Sequence, residues 1–161
     1  MPAPSEAPQS GVPDADQDFL NEAVRSGLTE VTLGGLAKER AVSDQVKKFG
    51  ERMVADHHDA NEALMRLATA KGIALPTELD KNEQKSIDDL AALSGADFDR
   101  AYMKRMVADH KDDVSTFEKE AQSGEDPGIK AAAQKILPVL KEHLKMAESM
   151  QARVNASPGA R

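Results

Sequence analysis

Apolar and small residues recur every three or four positions along four long stretches of this chain. The first stretch, about 15–40, aligns Leu20, Ala23, Gly27, Glu30, Gly34 and Ala37 on one face. The second, about 43–71, aligns Val46, Gly50, Met53, His57, Ala60, Leu64 and Leu67. The third, about 96–122, aligns Met103, Met106, His110, Val114, Phe117 and Ala121. The fourth, about 127–153, aligns Ile129, Ala133, Ile136, Leu140, His143, Ala147 and Met150. This is the period of amphipathic α-helices with one buried stripe each. The ends carry local signals: Ser43 as an N-cap, Gly72 as a stop, Ser94-Gly95 as a break, and Asp126-Pro127 as an N-cap followed by Pro at the first helical position. A shorter helix is expected over about 79–93, inside the connector between the second and third stretches.

The tight turns make the first two long helices antiparallel, and likewise the last two. A connector helix about 20 Å long can carry the chain back along the bundle. The second and third long helices would then run parallel, as in an all-α, ferritin-like four-helix bundle with a short crossover helix between helices 2 and 3. The domain is expected over 15–154. Residues 1–14, rich in Pro, Ala and Ser, read as a flexible tether, and 155–161 as a flexible tail.

Each stripe is apolar or small except at one place, occupied by Glu30, His57, His110 or His143. The four fall at similar heights along the bundle, within roughly 6 Å. A buried carboxylate needs a cation or hydrogen-bond donors, and three imidazoles could supply them directly or through a metal ion. The pentapeptide Met-Val-Ala-Asp-His also occurs twice, at 53–57 and 106–110, each copy preceded by Arg. A helix needs apolar residues at its core positions, but nothing in packing asks for the same Asp-His pair twice. Asp56 and Asp109 lie about 100° around the helix from the histidines that follow them, where each could orient an imidazole of a neighbouring helix. The alternative is a polar layer in which Glu30 hydrogen-bonds the histidines and sets the bundle register, with Asp56 and Asp109 solvated. His58 points away from the stripe and is expected to be exposed. Met53, Met106 and Met146 lie near the histidines, which would suit copper(I), although Met at helical spacing is usually a gap-filler. The acidic groups Asp88-Asp89, Asp112-Asp113 and Glu118-Lys119-Glu120 read as solvated faces.

Composition narrows the chemistry. The 161 residues include no cysteine, so disulfides, thiolate nucleophiles, cysteine zinc sites and iron–sulfur clusters are excluded. The net charge of −7 and the lack of a basic run argue against nucleic acid and anionic lipid as partners. No apolar run approaches the ~20 residues of a membrane span. There is no Gly-rich phosphate loop and no nucleophile-elbow motif.

Six phrases, in order, resemble the bacterial DUF4142 family. They are Gly27–Gly34, Met53–His57, Gly72-Ile73-Ala74-Leu75-Pro76, Phe98–Tyr102, Met106–His110 with Phe117–Ala121, and Leu137–Leu140 with Glu142-His143-Leu144. The resemblance covers about Asp16 to Ala152. It implies a ferritin-like fold and export to the periplasm or beyond, and no settled activity. The family's recurring polar positions map onto Glu30, Asp56, His57, Asp109, His110 and His143. One departure from the wider ferritin-like pattern stands out: Val54, Val107 and Leu140 precede the three histidines by three residues, so there is no Glu-x-x-His. A di-iron carboxylate centre is therefore not expected. A single divalent ion held by Glu30, His57, His110 and His143 is the better match, zinc(II) first, with iron, manganese or copper as alternatives. Two readings follow. One is an exported bundle that binds this ion for metal handling or stress protection. The other is a non-catalytic envelope or stress module whose His/Glu layer is structural. Neither requires enzymatic activity.

Overall fold

The structure, a computed structural model, describes residues 10–156. Most of the expected tether and tail falls on residues 1–9 and 157–161, which lie outside the described residues. Five helices follow in order: α1 (Asp14–Arg40), α2 (Asp44–Ala70), α3 (Lys81–Ala91), α4 (Gly95–Ser123) and α5 (Pro127–Ala156). No strand occurs among the described residues. The last helix runs three residues past the expected end near 153, to Ala156.

Local chemistry sets the helix ends. Ser43 Oγ accepts the Val46 amide at 3.4 Å, and Asp80 accepts the Glu83 amide at 2.8 Å to start α3. Asp126 Oδ1 accepts both the Gly128 and Ile129 amides, at 2.9 and 3.0 Å, around Pro127. These bonds satisfy N–H groups that the first helical turn leaves without intrahelical partners. Gly72, at φ +72°, ends α2 in the left-handed region that favours glycine.

Helix α1 packs on α2, α4 on α5, α1 also on α4, and α2 on α5. Ser26 meets Asp113 and Glu22 meets Thr116, so α1 and α4 run in opposite directions. Arg52 with Glu142 and Gln45 with Arg153 place α2 and α5 likewise. Two buried carboxylates tie the hairpins together reciprocally. Asp99 of α4 accepts the Val42 and Ser43 amides of the α1–α2 turn, at 3.0 and 2.9 Å. Asp16 of α1 accepts the Glu125 and Asp126 amides of the α4–α5 turn.

The buried apolar residues form two clusters. One gathers Leu33, Phe49, Met53, Phe98, Tyr102 and Met106. The other gathers Leu20, Val24, Leu64, Phe117, Ile129 and Leu140. All four Phe and the single Tyr go to these cores. On every long helix the buried polar residue of the expected stripe lies between its contributions to the two clusters: Glu30 on α1, His57 on α2, His110 on α4, His143 on α5. The polar level is thus a seam between two dry halves.

Helices α1 and α2 approach closely at Gly34 and Gly50, just beyond this seam. A Cβ on Gly50 would stand 2.7 Å from the Gly34 carbonyl oxygen and 2.9 Å from Ala37 Cβ. Backbone cannot give way as a side-chain tip can. Gly50→Ala is therefore expected to destabilise the fold by about 1–3 kcal/mol through overpacking, lowering Tm by several degrees. Gly35 is helical with open space around its Cβ position, so Gly35→Ala should stabilise by about 0.5–1 kcal/mol. Thermal unfolding of the two variants beside the parent chain checks both signs.

Candidate metal centre

His57 from α2, His110 from α4 and His143 from α5 converge at the seam. Each can offer one ring nitrogen so that all three nitrogens lie within 4.8 Å of one another. The ring centroids form a near-equilateral triangle of 5.4, 5.3 and 5.4 Å. The rings are 5%, 0% and 1% exposed, so the triangle is closed to bulk water.

Hydrogen bonding fixes two tautomers. His110 Nδ1 lies 2.8 Å from the Met106 carbonyl oxygen, which can only accept. Nδ1 therefore carries the hydrogen, and Nε2 of the neutral ring holds a bare lone pair. His143 Nε2 lies 2.7 Å from Asp56 Oδ2. It donates to that carboxylate, which leaves Nδ1 bare, and this Nδ1 is buried with no hydrogen-bond partner. His57 Nε2 stands 3.3 Å from His110 Nε2. A hydrogen on His57 Nε2 could bridge that gap, but nothing comparable reaches His143 Nδ1.

Burial keeps these rings neutral. It pushes the His57 imidazole well below its ordinary range, helped by His110 and His143. It pushes His110 down to about 4, against the bond to the Met106 carbonyl. It also lowers His143, against the Asp56 carboxylate. At Asp56, partial burial works upward, yet the bonds from His143 and Arg52 outweigh it and hold the carboxyl below its ordinary range. Asp56 is thus an anion that orients an imidazole, the partner a metal-bound histidine ordinarily has.

Glu30 and Asp109 stand apart from this triangle. Glu30 is fully buried, yet the group of converging ligand atoms consists of the three histidines alone. Neither Glu30 oxygen receives a hydrogen from a donor. The acids Asp109 and Asp113 lie near enough to act on it by charge. Burial first, then the charges of Asp109 and Asp113, push Glu30 well above the usual carboxylate range. Burial likewise raises Asp109, against the pull of Arg105. Asp109 accepts Arg105 Nε at 2.7 Å and orients no imidazole. The small residues beside Glu30 serve the partner helix: Gly34 faces Gly50, and a Cβ on Gly27 would overlap the Asn61 amide. His58 lies exposed, paired with Glu62 at 3.4 Å.

Two acids expected on solvated faces are buried instead. Asp113 accepts Ser26 Oγ at 2.7 Å and is pushed up to about 7, mainly by burial. Glu120 is also pushed up to about 7 by burial, aided by Asp16. Each lies three residues past a stripe position, His110 and Phe117, and that spacing was the available signal. Asp109 and Asp113 line a cleft of about 480 Å³ between α1, α4 and the connector.

Several solved structures share this fold at low identity. A DUF305 fragment from Deinococcus radiodurans superposes with a TM-score of 0.77 at 11% identity, covering 88% of this chain and 98% of that one. A DUF305 protein of Streptomyces coelicolor, named as a candidate secreted protein, gives 0.74 at 11%, covering 91% and 98%. CopM in its Cu(I)-bound form gives 0.72 at 15%, covering 86% and 96%. No curated protein sequence matches the chain. The family described as "Domain of unknown function (DUF4142)" matches residues 1–150, and the chain belongs to that family.

Proposed function

We propose that the protein binds one transition-metal ion through His57 Nε2, His110 Nε2 and His143 Nδ1, and that it serves metal handling in the bacterial cell envelope. The observation that carries this reading is the stranded lone pair of His143 Nδ1, buried beside two imidazoles and without a donor. Leaving a buried acceptor unpaired costs stability, and a cation at the centre of the triangle removes that cost. One edge of the triangle supports the same reading. Two nitrogens bound to one tetrahedral ion at about 2.05 Å stand about 3.3 Å apart, and His57 Nε2 and His110 Nε2 are separated by 3.3 Å. Glu30 is in this reading a protonated neighbour and not the fourth ligand. A three-imidazole set leaves a coordination position for an outside ligand, which suits an ion that is passed on.

Neutral imidazoles suit zinc(II) and copper. The donor set favours zinc(II). Copper is the second reading, favoured by the likeness of fold to CopM, which is described in Cu(I)-, Cu(II)- and Ag-bound forms. The interhelix pairs, with α1 opposed to α2 and α4, and α5 opposed to α2 and α4, support a ferritin-like bundle in which α2 and α4 run parallel and α3 makes the crossover. A domain over 15–154 accords with helices that start at Asp14 and end at Ala156. Export is supported by the named character of the Streptomyces coelicolor relative in fold.

Reconstitution of metal-free protein should give one zinc(II) per chain by elemental analysis and calorimetry, with a raised Tm. His143→Ala should abolish stoichiometric binding. Copper(I) displacing zinc(II) at equal concentration would select the second reading. No stoichiometric binding of either ion would leave the histidine layer a purely structural device.

The two copies of the repeat should respond differently. Asp56→Asn is expected to weaken binding by about 10–100-fold, the usual cost of losing a ligand's orienting partner. Asp109→Asn should leave affinity nearly unchanged. Titration calorimetry on the pair of variants decides.

The pH profile follows from the lowered imidazoles. Protons compete for a ligand only near and below its pKa, and burial carries His110 down to about 4. Affinity should therefore hold further into the acid range than with three histidines at about 6.5, each of which would lose about tenfold by pH 5.5, and His110 should give way only towards pH 4. The metal-free fold has the same sign at these sites. The unfolded chain binds protons on the histidines below about 6.5 while the folded one does not, so their contribution falls as pH drops.

A further inference from the structure

We propose that Arg52 latches the route by which a cation reaches the three imidazoles, covering Asp56, Glu142 and Met146 as the donors that first receive it. This rests on the metal reading above. The triangle is sealed, so an ion can enter only if something moves. Of the hydrogen bonds made by the three rings, one joins His57 to His110 and another ends on the buried Met106 carbonyl. The third leads outward, from His143 Nε2 to Asp56, whose side chain is 30% exposed. Asp56 is therefore the polar step between the centre and water.

Arg52 lies over that step. Its Nε donates to Asp56 Oδ2 at 3.1 Å, the same oxygen that His143 uses. Its Nη2 pairs with Glu142 Oε2 at 3.3 Å, and its Nη1 reaches Met146 Sδ at 3.7 Å. One guanidinium thus occupies two carboxylates and a thioether, an outer set of metal donors around a cation. The carboxylates suit a hydrated divalent ion, and the thioether adds a soft donor. Exposed ion pairs of this kind hold weakly, and the side chain is 42% exposed, so it can swing into water within nanoseconds. While it is in place, its charge also repels an arriving cation.

The second copy of the repeat supplies an internal contrast. Arg105 holds Asp109 in the same i,i+4 manner, but it is anchored further by Ser86 and Glu83, and Asp109 touches no imidazole. Identical sequence makes a latch in one copy and a strut in the other. The difference comes from the facing helix: α5 brings His143, Glu142 and Met146 to Asp56, whereas α3 brings Glu83 and Ser86 to Arg105.

Stopped-flow mixing of the full chain with cobalt(II) chloride, followed by visible absorption, tests the latch, with stoichiometry measured separately at equilibrium. Arg52→Gln is expected to raise the association rate by about tenfold or more, by removing both cover and like charge, with one cobalt still bound per chain. Arg52→Lys keeps the charge but cannot span three donors, so it should fall between. If Arg52 merely steadied Asp56, its loss would raise dissociation alone. An association rate that is unchanged or slower in Arg52→Gln, with stoichiometry kept, overturns the latch and leaves the imidazole centre standing. A parent chain that takes up no cobalt in stoichiometric amount overturns both.

Discussion

Dryness governs the middle of this molecule. Three imidazoles and a carboxyl sit between two apolar cores, where an isolated charge is too costly to keep. Each group answers in the way its chemistry allows. Burial favours neutral histidines and a protonated Glu30, while Asp56 is held as an anion because His143 and Arg52 both donate to it. The result is a cluster of neutral lone pairs facing one point, with a single fixed anion behind one of them. That is the electrostatic character of a site prepared for a cation: attractive to one, yet unable to hold protons in its place near neutrality.

The repeated pentapeptide shows how little of this is set by local sequence. Both copies present Arg, Met, Asp and His in the same helical geometry, and both pair Arg with Asp one turn on. Yet the first Asp faces a histidine of α5, while the second faces the acid Glu30 on α1 and the connector. One carboxyl is held below its usual range and the other above it. A duplicated motif has become an imidazole-orienting anion on one side and an arginine-strapped, half-buried acid on the other.

Much of the architecture could be read from the chain because its signals are local. Ser43, Gly72 and Asp126-Pro127 mark helix ends through contacts that reach only a few residues. The stripe period identified the faces on which Glu30, His57, His110 and His143 are buried. The rest depends on distant partners. Asn61 and Ala68 take buried positions where Ala60 and Leu67 were expected, a rotation of about one residue that period alone does not resolve. The same uncertainty hid Asp113 and Glu120. The separation of Glu30 from the histidine triangle depends on how α1 sits against α4, and no spacing within α1 encodes that. The choice of ring nitrogen depends on Asp56 being opposite His143.

The paired carboxylates Asp16 and Asp99 carry a consequence for how the chain folds. Each closes the turn of the hairpin to which it does not belong. A hairpin alone would leave the two amides at its corner without their protein partners, and its own aspartate without its amides. Neither half is therefore complete until it docks on the other, and the polar seam is assembled in the same event. Such mutual completion favours all-or-none assembly over two halves maturing separately. It ties the existence of the imidazole triangle to the integrity of bonds near the opposite ends of the rods.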